Sequence, residues 1–145
     1  MKLIGLVAIL GLAVGASVLV AFASARRRRS ALRGREPLNV DEVFSRYFAD
    51  RGLQKEAVAR HWHECAGRLR LPAQLLRPSD SFDQELKSLR WLDPFDDRKD
   101  DLAQYALGEA NKRQRTLDLE SVRTLGDLIA ALVRLDESAS DRSPV

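Results

Sequence analysis

Apolar residues recur at helical spacing in several segments of the chain after residue 38. The first segment begins at Asn39, which forms a capping-box pattern with Glu42 three residues later. Apolar residues then follow at intervals of three and four, and Gly52 predicts the end of this helix. No segment shows the sustained alternation that is typical of strands, so the pattern predicts an all-α domain.

Three more helices are predicted from the same periodicity, at residues 54–68, from residue 95 towards residue 111, and at residues 125–135. Gly67 and Pro72 indicate the end of the first of these three helices, and a loop at residues 71–85, interrupted by prolines, separates it from the next. Thr124 is the predicted N-cap of the last helix, and Asp127 can return a hydrogen bond to it.

Trp62 and Phe82 are the large apolar residues expected in the core of this domain. Trp62 lies on the apolar face of the second helix, together with Val58, Cys65 and Leu69. Phe82 lies in the long loop and is expected to anchor it. Burial of both side chains is therefore a prediction of the helical interpretation.

An uncharged apolar run precedes the domain, from residue 3 to residue 25. About 20 apolar residues suffice to cross roughly 30 Å of hydrocarbon as a helix, so the run predicts a single transmembrane span. Basic residues that flank a span stay on the cytoplasmic side. The residues predicted to form this basic membrane collar are Arg26, Arg27, Arg28, Arg29, Arg33 and Arg35.

A cleaved signal peptide is the alternative interpretation of the same run, because small residues recur at 21–25. The apolar core exceeds the usual 7–15 residues, and the arginines that follow oppose export, so the anchor is favoured. Gly11 and Gly15 form a Gly-x-x-x-Gly element, which can bring two spans close together. Weak self-association through these two glycines is a further hypothesis.

The chain is thereby divided into four parts. Residues 1–25 are the predicted transmembrane signal-anchor, and residues 26–37 are a basic juxtamembrane tether. Residues 38–136 are the helical domain. Residues 137–145 are a polar tail that is predicted to be disordered.

The overall charge of +3 conceals an uneven distribution. After Arg35 the chain carries 17 basic and 21 acidic residues, which is a net charge of −4. The basic excess therefore belongs to the collar, where it can attract anionic membrane lipid, and a nucleic-acid partner is not expected.

The loop and the last helix resemble acyl carrier proteins. In the loop, the residues Arg77-Pro78-Ser79-Asp80-Ser81-Phe82 and the Glu85-Leu86 pair are similar to the long first loop of that family. Thr124-Leu125-Gly126-Asp127 is similar to the Thr-Val-Gly-Asp start of the family's last helix. The resemblance extends over residues 57–135 and is strongest to uncharacterised bacterial acyl-carrier-like proteins. It implies a small helical bundle behind the span.

The sequence departs from the family at the prosthetic-group site. Acyl carriers attach phosphopantetheine to the serine of an Asp-Ser-Leu motif that opens the second helix, whereas residues 92–98 of this chain contain no serine. Ser88 is the nearest candidate, but it follows a lysine, and a helix starting there would contain Pro94 at a cost of about 3 kcal/mol. No cofactor is therefore expected.

His61, His63 and Cys65 are the residues that suggest a metal site. On a helix His61 and Cys65 share a face while His63 points away, and the chain has no further Cys or His. A buried Cys65 with an exposed His63 is the favoured interpretation. The acidic cluster at residues 93–101 is interpreted as the solvated start of a helix rather than as a cation site.

No nucleophile motif, phosphate-binding loop or paired-carboxylate signature is present, so an enzyme is not expected. The function predicted from the sequence is a non-catalytic helical domain, anchored in the bacterial inner membrane and facing the cytoplasm, that binds an unknown protein partner. Two alternatives stay open: an acyl carrier with an atypical attachment site, and a lipid-surface or structural membrane protein.

Overall fold

The computed structural model describes residues 30, 32–87 and 97–140. Four α-helices lie in these ranges: α1 (Val40–Tyr47), α2 (Lys55–Leu69), α3 (Arg98–Lys112) and α4 (Leu125–Ser140). Short 3₁₀ helices follow α1 and α2, at Ala49–Arg51 and Ala73–Leu75. The described residues contain no strand, and the predicted all-α class is confirmed for them.

The predicted capping box begins α1. The Asn39 side chain accepts a hydrogen bond from the Glu42 backbone N–H at 2.8 Å, and the Glu42 carboxylate accepts one from the Asn39 N–H at 2.8 Å. The chain leaves this region through Gly52, whose φ of 68° lies in the left-handed region that favours glycine. The predicted start of the first helix is confirmed, whereas α1 ends at Tyr47 and Gly52 follows the short 3₁₀ helix Ala49–Arg51 instead.

The core lies where α2, α3 and α4 pack against one another. Trp62 of α2 is 1% exposed and Phe82 of the loop is 9% exposed, as predicted. In each of the three helices, apolar residues recur at the helical period and form one face, which packs into the core. Their fully or nearly fully buried residues include Val58, Cys65, Leu69, Leu102, Ala106, Ala110, Leu125, Ile129, Leu132 and Val133.

The folded domain begins before the predicted boundary at residue 38. Leu32 is 1% exposed and belongs to the core. Arg35 donates to the Leu75 carbonyl oxygen at 3.0 Å and pairs with the Asp80 carboxylate at 2.8 Å. Part of the predicted tether, including one of the six collar arginines, is therefore built into the domain.

The last helix also extends beyond its predicted end. Helix α4 continues to Ser140, so residues 137–140 of the predicted disordered tail are helical. Helix α2 ends at Leu69, its C-cap residue Arg70 has a left-handed φ of 53°, and Gly67 lies inside the helix instead of ending it. The backbone N–H of Arg70 donates to the Gly67 carbonyl oxygen at 3.0 Å. One of the last carbonyl groups of the helix is thereby hydrogen-bonded, although the left-handed position is not occupied by glycine.

The long loop is fixed to the start of α4 by backbone hydrogen bonds. The N–H groups of Leu125 and Gly126 donate to the carbonyl oxygens of Asp80 (2.9 Å) and Pro78 (2.8 Å). The first N–H groups of a helix lack partners inside it, and the loop supplies two of them. A Cβ on Gly126 would lie 2.9 Å from the Pro78 Cβ, so this close approach requires glycine.

The prediction of a membrane protein is corrected. No helix in the described ranges combines the length and apolar character that crossing a bilayer demands. The longest of them, α4, carries charged residues at Arg134 and Asp136. The predicted span at residues 1–25 lies outside the described residues, and the inner-membrane assignment that depended on it is not retained.

Candidate functional site

An apolar pocket of about 200 Å³ opens to solvent between the long loop, α3 and the segment that leads into α4. The residues that line the pocket come from three separate parts of the sequence, at positions 82–83, 99–103 and 119–128. Its apolar lining residues are Phe82, Leu102, Ala103, Leu119, Val122 and Leu128. A cavity of this size and lining can accept an apolar side chain.

Hydrogen bonds between distant segments hold the pocket in shape. The Phe82 N–H donates to the Arg123 carbonyl oxygen at 3.1 Å, and Ser81 forms an isolated antiparallel bridge with Thr124. Thr124 in turn caps α4: its hydroxyl accepts from the Asp127 N–H at 3.2 Å, and the Asp127 carboxylate accepts from the Thr124 N–H at 3.0 Å. This reciprocal cap was predicted from the sequence, and it positions the segment that faces Phe82.

Charged side chains surround the apolar lining. Lys99 and Asp83 approach each other to 3.8 Å, with side chains that are 52% and 70% exposed. Glu120 and Arg123 are also exposed residues that line the pocket. An apolar centre within a polar rim is the usual anatomy of a protein–protein interface.

Leu107 adds exposed apolar surface to the same helix. It is 47% exposed and lies one turn after Ala103 on α3. Residues four apart share a face of a helix, so Leu107 extends the apolar stripe that Ala103 begins. In the described part of the chain only Tyr47, at 37%, is another large apolar residue with comparable exposure.

A buried polar network around His61 shares no residue with the apolar pocket. The His61 ring is 1% exposed and joins three helices, since its Nδ1 lies 2.8 Å from the Tyr105 hydroxyl and its Nε2 lies 2.8 Å from the Asp136 carboxylate. Asp136 also accepts hydrogen bonds from Arg60 and Arg113.

Burial shifts the pKa values of His61 and Tyr105 in this network. Burial lowers the pKa of His61, although the Asp136 hydrogen bond acts in the opposite direction. A neutral ring that donates from Nε2 to Asp136 and accepts at Nδ1 from Tyr105 satisfies both nitrogens. Burial also raises the pKa of Tyr105 to about 12, so the phenol stays protonated near neutral pH.

We expect the stability of the domain to fall as the pH falls from about 6.5. Below the ordinary His pKa of 6.5 the unfolded chain binds a proton that folded His61 does not bind, which favours the unfolded state. The loss continues until the pH reaches the lowered pKa of folded His61, at no more than about 1.4 kcal/mol per pH unit. Urea unfolding between pH 5 and pH 8 measures it.

The second histidine supplies the matched control. His63 is exposed, and His61 and His63 are the only two histidines in the chain. His63→Gln should keep the pH slope, whereas His61→Gln should flatten it between pH 5 and pH 6.5. An unchanged slope in the His61 variant would show that other groups cause it.

The residues considered for a metal are arranged as the favoured interpretation predicted. Cys65 is fully buried, and burial raises the pKa of its thiol to about 12, while His63 is exposed. Three or more metal-ligating side chains do not come together anywhere in the described residues. In the acidic cluster, the Asp101 carboxylate pairs with Arg68 at 2.9 Å.

Several predicted site residues lie outside the described residues: Ser88, Gly11, Gly15 and the arginines at 26–29. Of the remaining collar residues, Arg33 is exposed and Arg35 is half-buried. The apolar pocket and the His61 network do not follow from the sequence pattern. The Thr124 and Asp127 cap, which positions one wall of the pocket, could be predicted from the sequence. Nothing in the sequence predicts that His61 contacts Asp136.

No protein-family model, no curated protein and no solved structure matches this chain.

Proposed function

We propose that this domain is non-catalytic and binds a partner protein that inserts an apolar side chain into the apolar pocket. The observation that carries the proposal is the open cavity of about 200 Å³ between Phe82, Leu102 and Val122. Binding energy at protein interfaces is concentrated in a few apolar or aromatic anchors that fill such pockets. A single anchor would therefore supply much of the affinity.

The surroundings of the pocket support this assignment. Leu107 offers further apolar contact area beside the pocket, and Lys99 and Asp83 provide polar groups at its edge. The buried polar network is less suited to a ligand, because His61 is 1% exposed and each of its ring nitrogens has a partner.

We also propose that residues 55–140 form an acyl-carrier-like bundle adapted to recognition. The long loop between α2 and α3 and the Thr-Leu-Gly-Asp start of α4 support the proposal. Asp97 is the residue before α3, and Arg98 is the first residue of α3; no attachment serine stands there. A bundle of this kind without the prosthetic arm retains the surface by which partners recognise it.

Filling the pocket tests the proposed function. Ala103→Phe places a ring in the cavity from a partly buried position on α3, and we expect the partner's anchor to be excluded. Burial of one apolar side chain stabilises by about 1.5–3 kcal/mol, so affinity should fall roughly 10- to 100-fold. The whole chain serves as bait in crosslinked cells that express it, and captured proteins are quantified by mass spectrometry.

Gln104→Phe is the matched control, because Gln104 is the next residue of α3, is exposed and does not line the pocket. A partner that both the wild type and Gln104→Phe capture, and that Ala103→Phe loses, supports the proposal. Equal capture by the two variants contradicts it. Circular dichroism must show that each variant is folded, and Ala103→Leu replaces the larger substitution if Ala103→Phe is not.

A further inference from the structure

The segment that precedes α1 is bound to the long loop, and we name residues 32–38 the strap. The Leu38 N–H donates to the Gln74 carbonyl oxygen at 2.9 Å, and the Arg77 guanidinium donates to the Glu36 carbonyl oxygen. The two leucines at the ends of the strap are only 1% and 4% exposed. The strap is therefore docked on the domain by polar contacts to the loop and by an apolar residue at each end.

Asp80 connects the strap with α4. Its carboxylate accepts a hydrogen bond from the Arg35 guanidinium at 2.9 Å, and its backbone carbonyl oxygen accepts one from the Leu125 N–H at 2.9 Å. Arg35 also donates to the Leu75 carbonyl oxygen at 3.0 Å. One loop residue thus holds the strap with its side chain and the start of α4 with its main chain.

The same part of the loop forms one wall of the apolar pocket. Phe82 follows Asp80 by two residues, lines the pocket, and donates its N–H to the Arg123 carbonyl oxygen at 3.1 Å. No residue of the strap lines the pocket. An effect of the strap on the pocket is therefore indirect, through residues 74–80 of the loop.

We propose that the strap regulates the apolar pocket. While the strap is docked, the loop holds Phe82 in place; when the strap is released, the loop loses the partner of Asp80 and the pocket loses this wall. The inference rests on the proposed function, since it concerns the regulation of the same site. Coupling between two sites is reciprocal, so a partner bound in the pocket also stabilises the docked strap.

The contacts of the strap suit a release that leaves the helices folded. The Arg35 side chain is 22% exposed, so water can hydrate its guanidinium when the ion pair with Asp80 opens. Segments held by few contacts open locally at a lower free energy than the core does. Any binding event on the chain before residue 32 that withdraws the strap would thereby weaken binding in the pocket.

Amide hydrogen exchange of the free chain tests whether the strap and the loop open together. Gly126→Ala adds a Cβ 2.9 Å from the Pro78 Cβ and carbonyl oxygen, at the contact between the loop and α4. Overpacking destabilises this contact, so the Phe82 and Leu38 amides should both exchange roughly 10-fold faster. Acceleration at Leu38 is the informative result, because its hydrogen-bond partner is Gln74 and not a residue of α4.

Gly108→Ala is the matched control, because a Cβ on Gly108 meets nothing within 4 Å. It should leave exchange at both amides unchanged. In the wild type both amides should be less protected than those in the middle of α2, since release of the strap leaves that helix folded. The inference is overturned if Gly126→Ala accelerates Phe82 but not Leu38, or if Leu38 is as strongly protected as α2.

A bound peptide tests the connection with the pocket. The probe is one synthetic peptide, selected from a randomised display library against the whole chain and chosen because Ala103→Phe abolishes its binding. At about 100 times its Kd the peptide should slow exchange at Leu38 by up to about 100-fold, because the released form does not bind it. Unchanged exchange at Leu38 overturns the inference and leaves the proposed function standing. If Ala103→Phe abolishes the binding of no selected peptide, the proposed function fails, and Gly126→Ala still decides whether strap and loop are coupled.

Discussion

Trp62→Ala should destabilise the domain by roughly 3–5 kcal/mol. Trp62 is 1% exposed, and its indole N–H donates to the Ala73 carbonyl oxygen at 3.3 Å. Truncation removes the packing between α2 and the loop, leaves a cavity and deprives that carbonyl of its donor. Small domains have only about 5–15 kcal/mol of stability in total, so urea unfolding should shift to a much lower midpoint.

Tyr47→Ala is the control for this substitution, because Tyr47 is an aromatic residue that is 37% exposed. Removal of a half-exposed side chain leaves no enclosed cavity, and substitutions of that kind usually change stability by about 0.5 kcal/mol. If the two variants unfold at the same urea concentration, the core is not centred on Trp62.

Sequence reasoning succeeded where the determinants are local. The caps of α1 and α4 depend on Asn39 with Glu42 and on Thr124 with Asp127, and each pair is separated by three residues. A helix start can therefore be predicted from a few adjacent positions. The apolar period then identifies the buried face, which is how Trp62 could be assigned to the core.

The end of α4 could not be predicted on the same basis. The composition after Leu135 is polar, which favoured a tail, but a polar segment can continue a helix whose earlier turns are held by packing. The end of α2 was predicted to within one residue, but the residue that ends the helix was not. Gly67 and Pro72 indicated a boundary, whereas the left-handed position is occupied by Arg70.

The contacts that shape the candidate site join residues that are distant in the sequence. His61 and Asp136 are 75 positions apart, and Arg35 and Asp80 are 45 positions apart. The sequence pattern gives each residue's place on its own element, but the partner depends on how the elements pack. This is why Arg35 was assigned to a membrane collar while the structure pairs it with Asp80.

The pairing of Arg35 with Asp80 carries the second large effect. Asp80 is 1% exposed and accepts hydrogen bonds from the Arg35 guanidinium and from the Arg77 N–H at 2.8 Å. Asp80→Ala leaves both donors without their acceptor, in a site where the Arg35 side chain is 22% exposed and that of Asp80 only 1%. Breaking such a pair should cost roughly 2–4 kcal/mol.

Amide hydrogen exchange gives this prediction a local measure. The loop carbonyls of Asp80 and Pro78 accept from the N–H groups of Leu125 and Gly126, so faster exchange at these two amides should accompany the loss of stability. Asp83→Ala is the matched control in the same loop, since the Asp83 side chain is 70% exposed and only approaches Lys99 to 3.8 Å. We expect it to change stability by less than about 1 kcal/mol.

The same substitution connects the anchoring of the loop with partner binding. Phe82 lines the apolar pocket two residues after Asp80, and its N–H is bonded to the segment that precedes α4. If the loop loosens when Asp80 is replaced, the pocket loses one wall, and capture of the partner should fall together with the protection of Leu125. Rapid exchange at Leu125 with unchanged capture would show that the partner does not use this wall.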